Sequence, residues 1–267
     1  MANFLVIDGE TLPVWLSAGL GFVLGAVIGS YLATVLWRWP RGHSANTGRS
    51  QCDSCDRTLA WQEIVPIAGY ALANGRCRSC GAQITSDHAV FELFCALAGA
   101  YFFASGAWWL GPIVWLLALL ALFDLRYLRL PNPLVATLGV LAIVVPAFEP
   151  LGIGERLVGG AIGFGAFWAI ATGYRTFRKR TGLGFGDVKL FGAMGLWTGP
   201  YVLPQLLLLA CAIGFADLLY RYAKGTAHVD LRLPLGTYLC AAMTGLAVWY
   251  SVELPHCSTS IERLFSS

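Results

Sequence analysis

Charge is what this sequence has little of. Asp, Glu, Lys and Arg make up 12% of its 267 residues, about half the ~25% of an ordinary soluble domain. Too few ionisable groups are present to coat a soluble globule of this size. No heptad or triplet repeat occurs, which excludes a coiled coil and a collagen-like chain, and long apolar runs exclude disorder. No basic segment precedes the first apolar stretch, so that stretch does not read as a cleavable signal peptide. Histidine is scarce: His43, His88, His228 and His256 have no mutual spacing that suggests a site. The net charge of +3 carries no nucleic-acid footprint. What the chain does have is apolar side chains, 57% of the residues against ~45–50% in soluble domains. The composition is that of an all-α polytopic membrane protein.

The long uncharged stretches are Leu12–Trp37, Leu93–Phe123, Leu130–Phe148, Leu157–Tyr174, Leu190–Ala216 and Leu233–Val252. A spanning helix needs about 20 apolar residues, so four of these predict single crossings. Leu93–Phe123 is too long for one and contains the break points Ser105-Gly106 and Gly111-Pro112. Leu190–Ala216 continues past Asp217 and is interrupted at Gly199-Pro200. Each predicts two crossings, about eight transmembrane helices in all. Charge placement agrees with that count. Segments 38–88, 124–129, 175–189 and 221–232 hold six, two, five and three Lys/Arg, leaving only Arg156 and Arg263 elsewhere. With eight crossings all four segments share one face, which the positive-inside rule makes cytoplasmic. Both termini then face outward, with acidic Asp8 and Glu10 ahead of the first helix. The expected division is residues 1–37, an outward terminus and first helix; 38–88, a cytoplasmic insert; 89–252, a catalytic helix bundle; and 253–267, an outward tail.

The insert contains Cys52-x-x-Cys55 and Cys77-x-x-Cys80, with 21 residues between the pairs. Two such knuckles let four thiolates converge tetrahedrally on one ion. A module this small buries little core, so a metal would supply its folding free energy. A reducing cytoplasm argues against two disulfides, and a thioredoxin-like pair needs one such motif in a βαβ setting. The expectation is a structural zinc site in a zinc-ribbon-like insert. Cys95, Cys211, Cys240 and Cys257 are scattered, and the first three fall in apolar spans, where cysteine acts as a small hydrophobe.

Two acids stand out. Asp124 ends an uncharged helix, and Asp187 lies in Gly184-Phe-Gly186-Asp187-Val-Lys189 at the entry to the next-but-two span. The eight-crossing topology brings both to the cytoplasmic edge, although 63 positions separate them. Two carboxylates that share a site do not both ionise easily, and such a pair can divide labour as an aspartic protease does, one activating water and one polarising the scissile carbonyl. The plain alternatives are that Asp124 pairs with Arg126 or Arg129 and that Asp187 only caps a helix starting near Val188. Gly184 and Gly186 permit close backbone approach or positive φ. Intramembrane carboxylates are functional candidates by default, which adds Glu92 and Asp217; Arg221, one turn beyond Asp217, points to an ion pair. Gly21, Gly25 and Gly29, Gly159 with Gly163, and Gly195 with Gly199 repeat at four-residue spacing, which suits close helix packing.

These residues together resemble one family, the bacterial prepilin peptidases of type IV pilus and type II secretion systems. The likeness runs from Gly29-Ser-Tyr-Leu and Arg38-Trp-Pro40 through the paired cysteines, Phe91-Glu92-Leu, the Asp124 segment and Gly184-Phe-Gly-Asp187-Val-Lys189 to Leu235-Gly236-Thr-Tyr-Leu. The resemblance implies that Asp124 and Asp187 are the catalytic pair, that Gly184, Gly186 and Lys189 support the catalytic loop, and that Cys52, Cys55, Cys77 and Cys80 bind zinc. It implies cleavage of prepilins and pseudopilins after a Gly that precedes the hydrophobic stem. It further implies N-methylation of the new terminal residue with S-adenosylmethionine, for which no binding residues are assigned. It places the protein in the bacterial inner membrane with its site facing the cytoplasm; its partners are those substrates and the lipid bilayer, without nucleic acid. The chain departs from the pattern at Ala33 and Thr34, where Asn is usual, at the first knuckle, which lacks Pro, in Trp61–Pro66, and at Asn132, where Asp is usual. The other function class is a transporter or assembly scaffold whose acids bind ions and whose insert docks a partner. A transporter predicts inverted repeats and midplane carboxylates; no repeat is found, and the two acids lie at one edge.

Overall fold

A computed structural model describes residues 6–7, 10–46, 49–52, 54–145, 151–179, 182–226 and 233–265, and side chains throughout these except at 6–7, 10–11 and 253–265. Expectations on Asp8, Phe148 and His228, and on the side chains of Glu10, His256, Cys257 and Arg263, lie outside the described residues. Strands β1 (Val6–Ile7) and β2 (Glu10–Thr11) form a small antiparallel pair. The rest is helix and loop: α1 (Val14–Arg38), two short helices α2 (Trp61–Ile64) and α3 (Ala68–Leu72), then α4 (Ser86–Ala104), α5 (Leu110–Tyr127), α6 (Asn132–Val144), α7 (Ile153–Arg178), α8 (Phe185–Ala223) and α9 (Leu235–Phe265). Six helical stretches among the described residues are long and apolar enough to cross a membrane, and α6 is a shorter apolar helix.

The predicted breaks are present. Between α4 and α5 the chain turns at Ser105-Gly106, with Gly106 at φ 76°. Gly111-Pro112 instead lies in the first turn of α5, where proline is tolerated because its missing N–H has no helical acceptor anyway. Within α8, Gly199 has φ 68° and ψ −178°, a conformation open to glycine and costly for other residues. The helix reverses there. Gly236, at the start of α9, lies against Asp187, and Tyr238, two residues on, hydrogen-bonds Asp217, so both ends of α8 meet the same turn of α9. Among the described residues, the six long helices and the shorter α6 therefore give eight helical segments, because α8 has two arms.

The chain forms two compact units, residues 1–111 and 112–267. In the first, α1 packs antiparallel on α4 through its glycine stripe. A Cβ on Gly21 or Gly25 would run into backbone carbonyls of Gly99 or Cys95, so only glycine permits this approach. Cys95 is fully buried there, the small apolar role expected of it. In the second unit α7 packs antiparallel on the first arm of α8 by the same means, Gly159 facing Gly195 and Gly163 facing Phe191; Phe167 stacks on Phe191 with ring centroids 4.1 Å apart. The short α6 ends at Val144 because Arg156 takes over its terminal carbonyls. The guanidinium is buried and donates to Ala142, Ile143 and Val145 at 2.8, 3.2 and 3.0 Å. A cation at a helix C-terminus also complements the helix dipole.

Candidate active site and metal centre

Asp124 lies in the last turn of α5 and is buried. Its Oδ2 accepts the backbone N–H of Thr237 at 2.9 Å and is 3.3 Å from Thr237 Oγ1, which also donates to the Ala121 carbonyl at 2.9 Å. Asp187 is in the first turn of α8. Gly184 is the N-cap residue of that helix and Asp187 stands three positions later, with the Gly184 backbone N–H directed at its carboxylate, so Asp187 is not the N-cap residue. One point locates the pair. A Cβ built on Gly236 would sit 3.0 Å from Asp124 Oδ2 and 3.1 Å from Asp187 Oδ1, so these oxygens are no more than about 6 Å apart. Asp187 Oδ1 is buried and has no hydrogen-bond partner among the described residues. Buried polar atoms are nearly always paired, so this one is held for something else.

The loop residues behave differently from one another. Neither Gly184 nor Gly186 takes a positive φ; Gly184 stands beside the Asp187 carboxylate, and Gly186 packs on Leu130. Lys189 is held by Asn132. Its Nζ donates to Asn132 Oδ1 at 2.9 Å and lies 4.8 Å from the centre of the Phe185 ring, tying the first turn of α8 to the first turn of α6. The spacing of Asp217 and Arg221 gave the right pair: Arg221 Nε donates at 2.7 Å and Tyr238 Oη at 2.6 Å to the same carboxylate oxygen. Glu92 is buried, accepts the Ile67 N–H at 2.7 Å, and has His88 Nδ1 3.6 Å away. Sequence reasoning missed Gly236 and Thr237 as site residues. Their signal was present in Leu235-Gly236-Thr-Tyr-Leu, but nothing local says that a helix start more than a hundred residues from Asp124 completes its site.

The four cysteines of the insert converge. Their sulfurs all lie within 4.8 Å of one another, with Cys52 and Cys80 3.8 Å apart. A tetrahedral site with Zn–S of ~2.3 Å has S···S edges of about 3.8 Å. The two knuckles are built alike. The pairs Gln51/Thr58 and Arg76/Gln83 each form a single antiparallel bridge flanking one motif. Cys52 N–H donates to the Arg57 carbonyl as Cys77 N–H does to Ala82, and the residues four beyond each first cysteine, Asp56 and Gly81, both take positive φ. Backbone N–H groups of Cys80 and Ser79 pull the Cys77 thiol down to about 6. The Arg57 N–H pulls Cys55 down as well, but lost hydration and the sulfurs of Cys80, Cys52 and Cys77 outweigh it and take that thiol up to about 11. Four sulfurs this close do not all ionise unless a cation sits between them. The cluster could hold a metal ion.

By fold, then, the chain is a multi-pass helical membrane protein with a four-cysteine insert. It belongs to the type IV leader peptidase family. Residues 112–219 match the family model described as "Type IV leader peptidase family", and residues 23–105 match "Bacterial Peptidase A24 N-terminal domain". The chain is 31% identical over 259 residues to the "Type 4 prepilin-like proteins leader peptide-processing enzyme" of Escherichia coli, covering 86% of this chain and 93% of that one. It is 33% identical over 204 residues to the "Prepilin leader peptidase/N-methyltransferase" of Klebsiella pneumoniae, covering 71% and 88%. To the protein of that same name from Vibrio cholerae it is 27% identical over 246 residues, covering 87% and 96%. No solved structure gives a significant match.

Proposed function

We propose that this protein is a membrane aspartic endopeptidase that removes the basic leader from prepilins and pseudopilins, cutting after Gly, and that it then methylates the exposed amino group. The carrying observation is the convergence of Asp124 and Asp187 on one point beside Gly236. The Thr237 backbone N–H donates to Asp124 Oδ2, and the one hydroxyl proton of Thr237 is shared between the Ala121 carbonyl and that oxygen, an arrangement that suits an ionised acceptor. Asp124 is accordingly the base: it takes a proton from water as the water oxygen attacks the scissile carbonyl. Asp187, whose Oδ1 lacks a partner, carries the other proton and gives it to the carbonyl oxygen as the tetrahedral intermediate forms. Collapse then re-forms the C=O bond as Asp187 takes back a hydroxyl proton, and breaks the C–N bond as Asp124 gives its proton to the leaving amine. Ion transport or a scaffold role has no observation in its favour, and the family is a peptidase family.

The cytoplasmic orientation rests on charge. Arg126, Arg129, Arg175, Arg178, Arg221 and Lys224 all flank the helix ends that meet at the carboxylates, and the positive-inside rule favours the cytoplasm for that end of an inner-membrane protein. Zinc is the proposed occupant of Cys52, Cys55, Cys77 and Cys80, where its role is to fold the insert. S-adenosylmethionine, when bound, supplies an electrophilic methyl group on a sulfonium. The test is digestion of a prepilin by purified wild type, Asp124→Asn and Asp187→Asn. Asn keeps the shape and removes the proton chemistry, so each variant should lose ~10²–10⁴-fold or more of the cleavage rate. Substantial processing by either one refutes the assignment.

A further inference from the structure

We propose that Asp217 and Tyr238 are positioning residues for the proton transfer at Asp124, acting through the first turn of α9. This rests on the peptidase reading above. Tyr238 follows Thr237, whose backbone N–H donates to Asp124 Oδ2. That N–H is not committed to the carboxylate alone. It stands 2.9 Å from Asp124 Oδ2 and 3.1 Å from the Pro234 carbonyl, a shared bond of the kind common at helix ends. A small change of pitch at the start of α9 therefore passes the N–H from the carboxylate to the carbonyl. Something must hold the turn at the pitch that favours Asp124.

Gly236 has no side chain to fix the turn, and the Thr237 hydroxyl is divided between Ala121 and Asp124. Tyr238 is buried, and its ring lies on Gly214 in the second arm of α8, where a Cβ would come within 2.9 to 3.1 Å of ring carbons. A flat ring on a glycine can slide. The hydroxyl at its tip stops the slide, because Oη donates to Asp217 Oδ2 at 2.6 Å, the short length of an O–H bond to a carboxylate. Arg221 Nε donates to the same oxygen at 2.7 Å and so holds the acceptor still. Gly214, Asp217 and Arg221 recur at spacings of three and four, which puts all three on one face of α8. They are the seat of the ring, the acceptor for its hydroxyl, and the clamp on that acceptor.

Packing alone does not account for this arrangement. A phenylalanine would cover Gly214 equally well, and a buried hydroxyl costs free energy unless it is bonded. Asp217 and Arg221 by themselves are a partly exposed pair one turn apart, with side chains 27% and 34% exposed, and such pairs add little to stability. What Tyr238 adds is a rigid link from that pair to the turn that carries Thr237. Removing its oxygen releases the turn and leaves the helices packed. The effect then falls on the orientation of Asp124, the group that takes the proton from water.

The experiment separates positioning from folding by resolving kcat from KM. Purified full-length protein in detergent is assayed for prepilin cleavage over a range of substrate concentrations. The proteins compared are wild type, Tyr238→Phe, Asp217→Asn, Asp217→Ala and the double variant Asp217→Ala/Tyr238→Phe. Tyr238→Phe should lower kcat by about tenfold or more, the scale of one hydrogen bond to a charged group. Its KM and Tm should stay at the wild-type values, because the loss falls on the transition state alone. Asp217→Ala should match it, and Asp217→Asn, which keeps an acceptor for the hydroxyl, should retain most of kcat. The double variant should be no slower than the slower single one, since both act through one contact. Full kcat in Tyr238→Phe, or losses that multiply in the double variant, overturns the proposal. So does a loss of activity that only follows the folded fraction. If Asp217→Ala fails to fold, Tyr238→Phe and Asp217→Asn still decide the matter. A wild type that leaves prepilin intact refutes the peptidase reading itself, and this proposal with it.

Discussion

Asp124 and Asp187 come together because the residue beside them has no side chain. Gly236 leaves the space that a Cβ would take, 3.0 to 3.1 Å from both carboxylates, and Thr237 supplies the hydrogen bonds that orient one of them. Gly236→Ala must therefore separate the two acids or turn one away, and a displacement of about 1 Å can cost ~10²-fold in rate. Thr237→Val removes the hydroxyl and keeps the N–H bond, which is worth only about 1 kcal/mol, or roughly tenfold at most. The kcat/KM for prepilin cleavage should fall in that order, Gly236→Ala well below Thr237→Val. Full activity in Gly236→Ala would show that the carboxylates do not act from this geometry. Lys189, which the resemblance assigns to support of the catalytic loop, holds Asn132 through its ammonium and so ties the helix that carries Asp187 to the start of α6.

At the scale of elements, two devices set the site. The first is glycine-mediated packing. Gly195 meets the backbone of Gly159 so closely that no side chain fits on either, and this contact fixes the arm of α8 that carries Asp187. Gly195→Val should force α7 and α8 apart, lowering the melting temperature in detergent and reducing cleavage although it touches neither acid. A variant with unchanged melting would refute the packing argument. The second is the cysteine knuckle, which the hairpin bonds of Cys52 and Cys77 build twice. Purified protein should contain about one zinc per chain, and replacing any one of the four cysteines by Ser opens a closed tetrahedral site. Metal content should drop and the segment 38–88 should become protease-sensitive. Zinc retained after all four are replaced would place the metal elsewhere.

For the whole molecule, active carboxylates at one helix end can reach only a bond at that edge of an inserted substrate. In the cytoplasmic orientation proposed above, a leader held there by its positive charge puts such a bond within reach, and the freed amino group stays on that same face, where the proposed methyl donor would meet it. Cleavage should precede methylation, and a substrate whose Gly becomes a bulky residue should undergo neither. Mass spectrometry of the mature amino terminus reads both steps. A methylated, uncleaved substrate would contradict the order, and a cleaved, unmodified product in the presence of donor would remove the methyltransferase half.

The sequence by itself determined the membrane class, the breaks at Ser105-Gly106 and Gly199 and the cysteine insert, and it singled out Asp124 and Asp187 as acids that could meet. Each follows from a local signal: apolar run length, a glycine where the chain must turn, a fixed cysteine spacing, a carboxylate where the surroundings are apolar. Pairing Asp217 with Arg221 was legible for the same reason, because one helical turn is a local distance. Only the tertiary structure decided that the start of α9 completes the site through Gly236 and Thr237, that Arg156 closes the end of α6, and that Tyr238 reaches Asp217. Those contacts join residues brought near by helix packing, and packing depends on which backbones can approach, a property of whole helices that no window of sequence contains.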